Sequence, residues 1–394
     1  MKKSLIIVVI AVLVLGTAFV FVDESLTPET KAWLETPLAL PDNTRGRALV
    51  KAFEEIAVEE SGSLVNQSQQ VSKEIIQACM PNVGQSCIEL LVSSPVDRRK
   101  YLPQDPRYYE RFAAILEESV LSTHPSQLFS VPWQNLTIAP RHVFLNSLVE
   151  QGRVDPLLLA KSLEFSRRMM KDASYMNEKV IFASMFGRSI AAANMAMGLR
   201  HLTVEEVLSN ADLDRLLAPL DKNERSYARV MMGEVRFANH TFEHVFTGSA
   251  KFIVNMKRNT LLNRQQILMQ PVIEYSEHPI ETFWITELGK PTPSWKDYLT
   301  GNAVDSIVKI TGEFVRVTQH LDLQLAVLRA MRRVYRGVSP YNHGEPAPPS
   351  FSWKWHPESD ELCLFATDHD QSDPDRTPTK IDGLGANGVC MVRF

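Results

Sequence analysis

The chain reads as a mainly α protein: an N-terminal transmembrane helix, a helical bundle or irregular helical array, and a small C-terminal antiparallel β module. Three observations carry that reading. Leu5 to Val22 is an almost unbroken apolar run. From Arg45 to Gly337 apolar residues recur at spacings of three and four, the period of helices with one buried stripe. After Gly337 prolines, then short alternating stretches, replace that period, as short strands do.

The apolar run sets the compartment. At 1.5 Å per residue, residues 5–22 make a helix of about 27 Å, close to the roughly 30 Å of a bilayer's hydrocarbon core. Lys2 and Lys3 precede it and Asp23 and Glu24 follow it, so the positive-inside bias leaves the N-terminus cytoplasmic and the rest outside. Such a protein is a single-pass component of a bacterial inner membrane with its C-terminal ectodomain in the periplasm. A cleaved signal peptide is the alternative, with Gly16-Thr17-Ala18 offering small residues for a cut. Cleavage there would leave Phe19-Val20-Phe21-Val22 as an exposed apolar start; as part of a span those residues complete it. The domains that follow are a signal-anchor at 1–22, a juxtamembrane spacer at 23–44, a helical ectodomain at 45–337 and a β module at 338–394.

With 22% charged and 44% hydrophobic residues, the rest is ordinary globular sequence. A net charge of -4 and a pI near 6.2 give no electrostatic reason to expect nucleic acid. Glycine-rich phosphate loops and dinucleotide fingerprints are absent from the sequence. The four cysteines fall into two local pairs, Cys79 with Cys87 and Cys363 with Cys390. In an oxidising exported space each pair closes a short loop; in a reducing cytosol the same residues are buried free thiols.

In chain order, Asp23 to Thr44 holds Pro28, Pro37 and Pro41, which suits a spacer better than a long helix. Leu49, Phe53, Ile56 and Ala57 then mark a core-facing helix. Val71 to Cys79, Ser86 to Val92 and Pro106 to Leu121 are further amphipathic segments, the last presenting Tyr109, Phe112, Ala113 and Leu116. His124 to Pro140 reads as a connection, followed by helices over Arg141 to Gln151 and Pro156 to Lys171, the second with proline at its first position. Between Ser174 and Leu199, Ala183, Gly187 and Ala191 thin one helix face for close packing. That pattern predicts a central helix; Lys179 and Arg188 argue against a second membrane span there.

Thr203 to Leu208 and Asp212 to Leu217 are short helices. Asp221 with Glu224 resembles a capping box opening a helix to about Phe246, with Tyr227, Met231, Val235, Ala238, Phe242 and Val245 on its apolar face. Asn255 to Tyr275 and Asn302 to Gly337 are long helices, the second with a break expected near Gly312. The second ends in Arg329, Arg332, Arg333 and Arg336, which suit a solvated helix C-terminus helped by its dipole. They are also the best basic patch, the alternative being a phosphate-bearing partner. Pro340, Pro346, Pro348 and Pro349 make a stiff linker, and strands follow at Phe351 to Trp355, Leu362 to Phe365 and Val389 to Val392. A Cys363 to Cys390 bridge would staple so small a meander.

Two constellations carry chemistry. His240-Thr241-Phe242-Glu243-His244 matches the H-x-x-E-H pattern of inverzincins, in which two histidines one turn apart bind zinc and the glutamate is general base. The residues after it, Phe246-Thr247-Gly248-Ser249, resemble those of the pitrilysin-like family, which implies a third ligand on a downstream helix, Glu274 or Glu313. Against this, that family is built on large sheets, and about 100° per residue turns both histidines away from the Met231 and Ala238 face, toward the surface. Asp368, Asp370, Asp373 and Asp375 offer calcium ligands without the glycine and terminal glutamate of an EF-hand, and read as a solvated acidic loop.

Four longer stretches carry a resemblance: Ala173-Ser-Tyr-Met-Asn-Glu-Lys-Val180; Leu220-Asp-Lys-Asn-Glu-Arg-Ser-Tyr227 running into Gly233-Glu-Val-Arg-Phe237; Leu321-Asp-Leu-Gln-Leu-Ala-Val-Leu328; and the Phe351/Trp353 strand. In these the chain resembles an uncharacterised family of bacterial membrane-anchored proteins with helical outer domains. The resemblance implies an anchor, a helical bundle and a small end module, and no activity. The function expected is therefore that of a non-catalytic binding or scaffold component of the envelope, with an envelope protein as partner; the alternative is a zinc metallopeptidase using His240, Glu243 and His244.

Overall fold

The computed structural model describes residues 23–36, 43–60, 102–121, 133–151, 154–198, 210–244, 258–277, 303–349, 351–358, 360–366 and 388–392. The apolar run 5–22, Cys79 and Cys87, the segments 71–79, 86–92 and 203–208, and Asp368, Asp370, Asp373 and Asp375 lie outside them.

Among the described residues the protein is mainly helical with one three-stranded antiparallel sheet. In order come α1 (Pro28–Glu35), α2 (44–60), α3 (Pro106–Leu116), α4 (Gln134–Gln151), α5 (Pro156–Asp172) and α6 (Met176–Gly198). Then follow α7 (Asn210–Leu216), α8 (Lys222–Arg225), α9 (Ala228–His244), α10 (Arg258–Glu277), α11 (Ala303–Tyr335), β1 (Phe351–His356), β2 (Glu361–Ala366) and β3 (Gly388–Val392).

Helix α6 is the axis: α4, α5 and α11 all pack against it, and Phe182, Met185, Phe186 and Ile190 are wholly buried. Its small residues act as expected at Ala183, which is buried, and at Gly187, where an added Cβ would lie 3.2 Å from Leu321 Cδ2 of α11. Ala191 is exposed, so the thin face ends at Gly187. Among the described residues α6 is the one helix long and apolar enough to cross a membrane, and most of it is buried in this core.

The structure departs from the periodicity reading in four places. In α3 the buried stripe is Tyr108, Phe112, Ile115 and Leu116, one position off from Tyr109 and Ala113, because Tyr109 instead donates its hydroxyl to the Pro103 carbonyl at 2.6 Å. Pro140 lies inside α4 and does not end a loop. The expected helix from Asp221 to Phe246 is two, α8 and α9, divided at Ser226 and Tyr227, for a reason given below. Helix α11 runs unbroken through Gly312.

Residues 23–36, assigned to a spacer, are docked on α9 and α10. Thr27 caps α1 by accepting from the Thr30 amide, with Pro28 at the first helical position. The carboxylate of Asp23 accepts from the Asn259 amide at 2.8 Å and the Thr260 amide at 3.0 Å, capping α10 from a remote segment. Asn263 secures the same strand, donating to the Ser25 carbonyl at 2.9 Å and accepting from the Thr27 amide at 3.0 Å.

The sheet runs in the order β1-β2-β3. Phe351, Leu362, Leu364, Val389 and Met391 join the same core as α5, α6 and α11, so the module shares the main core. On its other face Cys363 pairs directly with Cys390, Cα to Cα 4.1 Å, and their sulfurs are bonded.

Candidate functional site

The residues of the metallopeptidase alternative sit at the end of α9, and the glutamate among them is already engaged there. The Glu243 carboxylate is ion-paired with Arg258 at the start of α10, and that guanidinium also donates to Asn239 Oδ1 at 2.8 Å from Nε. A general base needs a free lone pair facing substrate; here a cation holds it. His240 is half-buried, Glu274 is exposed and accepts from Gln270 at 3.2 Å, and the side chains of His244 and Glu313 lie outside the described residues. The one group of potential metal ligands among the described residues is Glu361 with Cys363 and Cys390, where the disulfide consumes both thiolates.

Of the arginines at the end of α11, Arg333 and Arg336 are exposed, as at a solvated helix end, while Arg329, Arg332 and Arg333 reach acceptors on other segments. Arg329 pairs with Glu345 at 2.7 Å and donates to the Leu217 carbonyl at 2.9 Å. Arg332 reaches Asp214 at 2.5 Å, and Arg333 reaches the His343 carbonyl at 3.1 Å. Their work is to hold the proline-rich 338–349 stretch, where Glu345 also offers its carbonyl to Trp353 Nε1 at 3.0 Å. An i+3/i+4 count on α11 had no means of finding Glu345 or Asp214, which arrive from other segments.

Around the N-terminus of α6, the stretches quoted above meet in a buried charged hub. Ser174, Tyr175 and Met176 present free amides at the helix start; Glu178 accepts from the first two at 2.8 and 3.2 Å and Glu234 from the third at 2.7 Å. Gly233 makes this approach possible, since a Cβ there would lie 1.7 Å from the Ser174 carbonyl oxygen. Burial, and then the neighbouring Glu178 charge, push the Glu234 carboxyl above the usual range despite the Met176 amide.

Lys179 is the centre of the hub. Fully buried, its ammonium donates to the carbonyls of Met170 at 2.7 Å, Glu224 at 2.5 Å and Ser226 at 3.3 Å. These carbonyls belong to the last turn of α5 and to the α8–α9 junction, which explains why that helix breaks: a side-chain cation replaces the intrahelical donors there, and the Tyr227 amide finds Ser276 Oγ at 3.0 Å. Burial lowers the Lys179 pKa to about 7, opposed by the charges of Glu224 and Asp221. Around it Arg167 grips Glu224 through Nε at 2.7 Å and Nη2 at 2.6 Å, and spends Nη1 on the Leu216 and Ala218 carbonyls. Arg225 pairs with Asp322 at 3.3 Å, and Asp322 also accepts from the Leu220 amide at 2.8 Å. Acids and bases alternate, and every cation has an acceptor.

A second cationic group, one that motif reading passed over, lies where α3, α4 and α6 meet. Pro140 has no N–H for the Leu136 carbonyl, and at this irregular turn Arg188 of α6 donates through Nη1 to the carbonyl of Thr137. Arg141, one helical turn after Thr137, makes no hydrogen bond or ion pair among the described residues. His142 follows it, its Nδ1 3.2 Å from the Tyr108 hydroxyl. Burial alone lowers the Arg141 pKa. Burial, then the Arg141 charge, lower Arg188 to about 10. Burial, then the charges of Arg141 and Arg188, lower His142 to about 4.

The Glu54 carboxylate, whose charge acts on Tyr108, is spent elsewhere. Glu54 of α2 accepts from the Leu136 amide at 3.0 Å and the Asn135 side-chain amide at 2.8 Å, capping α4. Two guanidiniums and an imidazole are thus held together, all three half-buried, with no carboxylate among the described residues paired to them. Such an arrangement binds anions.

No family model, curated protein or solved structure matches the chain.

Proposed function

We propose that the protein is a single-span, membrane-tethered component of the bacterial envelope whose exported helical body is a non-catalytic binding scaffold, as the resemblance to anchored proteins with helical outer domains implies. The observation that carries this reading is the junction at Asp23. Residue 22 ends the apolar run, and Asp23, the next residue, already caps α10. A span over 5–22 therefore joins the folded body without a free linker, and the start of α10 lies at the bilayer surface. The body beyond is the part presented to partners: its buried charges are matched in the hub, and the half-buried cations at Arg141 have no carboxylate partner among the described residues.

Alkaline carbonate extraction of native membranes, with mass spectrometry of the mature N-terminus, tests this. The protein is expected to stay in the pellet with Met1 retained. Release into the supernatant, with a new N-terminus near Phe19, would replace the tether with a cleaved leader.

A further inference from the structure

We propose that Arg141, Arg188 and the His142–Tyr108 pair form a binding site for a phosphate-type oxyanion. Three features of the geometry support it. The donors are free: Arg141 keeps its whole guanidinium, and Arg188 spends only Nη1, on Thr137. The Tyr108 hydroxyl lies 3.2 Å from Nδ1 of His142; in the tautomer that accepts from the hydroxyl there, the other ring nitrogen carries the proton and donates to the ligand.

The donors are also held in place before any ligand arrives. Arg188 is pinned by Thr137, and His142 by Tyr108, whose ring packs on Phe53 at 4.7 Å between centroids. Little ordering is left to be done on binding, which favours affinity. Finally, the site is electrostatically incomplete. Like charges held together in a half-buried place repel, and no carboxylate of the described residues answers them, Glu54 being committed to the start of α4.

Two guanidinium forks and an imidazole, brought in from two helices, match a tetrahedral anion with several oxygens better than a single planar carboxylate. In the alternative basic patch at the end of α11, Arg329, Arg332 and Arg333 already have carboxylate partners in Glu345 and Asp214. Free inorganic phosphate and the phosphate of an anionic lipid headgroup share the required chemistry.

The inference goes beyond the tether and fails separately from it: a lost phosphate response leaves the carbonate extraction result as it was. The test uses the full-length protein in detergent, titrated with inorganic phosphate at pH 6.5 against sodium chloride of equal ionic strength. A saturable rise in melting temperature of roughly 1–3 °C is expected, with one phosphate per chain by equilibrium dialysis. Arg141→Gln and Arg188→Gln should each weaken phosphate binding by about ten-fold or more. In chloride alone Arg141→Gln should melt no lower than wild type, because it removes an unpaired charge; a residue that merely supports the fold would melt lower and leave the phosphate response intact.

Nanodiscs separate the sources. If phosphatidylglycerol discs reproduce the Arg141-dependent stabilisation without added phosphate, and phosphatidylcholine discs do not, the occupant is a lipid headgroup. If only added phosphate does so, it is the free anion. A phosphate response that survives both substitutions, or one absent in detergent and in both kinds of disc, overturns the proposal.

Discussion

Lys179 and Arg188 stand nine residues apart on α6, two and a half turns, and so leave opposite sides of the same buried helix. Both are pulled below their usual pKa by burial. Lys179 meets three carbonyls and sits beside the charges of Glu224 and Asp221, while Arg188 meets one carbonyl and a second arginine. Burying a cation costs little when its donors and charge are answered and much when they are not. The comparison separates an internal strut from a cationic group that has no carboxylate partner among the described residues.

The largest test of that contrast is Glu224→Ala. Arg167 would keep a buried guanidinium without its bidentate partner, and Lys179 would lose a compensating charge; a loss of about 3–5 kcal/mol by denaturant titration is expected. Lys179→Met should follow at about 3 kcal/mol, because the Met170, Glu224 and Ser226 carbonyls are left in the interior. Arg141→Met should be neutral or gain up to about 1 kcal/mol. If Arg141→Met costs as much as Lys179→Met, the two centres are of one kind and the contrast is gone.

The pH dependence sharpens it. The folded pKa of Lys179, about 7, is below its ordinary 10.5, so between those values the unfolded chain holds the extra proton and stability rises with pH. Unfolding between pH 7 and 9 should show that slope in wild type and lose it in Lys179→Met. His142, at about 4 against 6.5, has the same sign at lower pH: stability falls on acidification from 6.5 toward 4. Saturating phosphate should shrink that fall by favouring the imidazolium, and an unchanged acid limb would count against the anion site. At the small end, Lys31 and Glu35 are mostly exposed and 3.8 Å apart, and Lys31→Ala should move stability by less than about 0.5 kcal/mol.

Helix positions and the core axis were legible in the sequence because a 3.6-residue period needs only apolar residues at intervals. Phe53, Ile56 and Phe112 are buried where that period puts them. The charged centres were not legible by the same means. Lys179 was visible only as an interruption of an apolar run, because its acceptors are backbone carbonyls of α5, α8 and Ser226, which leave no mark in residue type. Arg141 read as the first residue of a helix because Pro140 looked like its boundary; the proline is tolerated inside α4, and the irregular turn it makes is what receives Arg188. The metallopeptidase pattern was the reverse case, conspicuous in residue type while Arg258, fourteen residues beyond His244, was the side chain that claimed Glu243.

The capping of α10 by Asp23 has a mechanical consequence. A helix start completed by a residue 236 positions earlier couples the two ends of that interval, so whatever tilts the segment before Asp23 also turns α10 and, through their packing, α9 and α11. On the proposed topology, load applied to the body from outside would reach the bilayer as torque on the span, with no slack chain to absorb it.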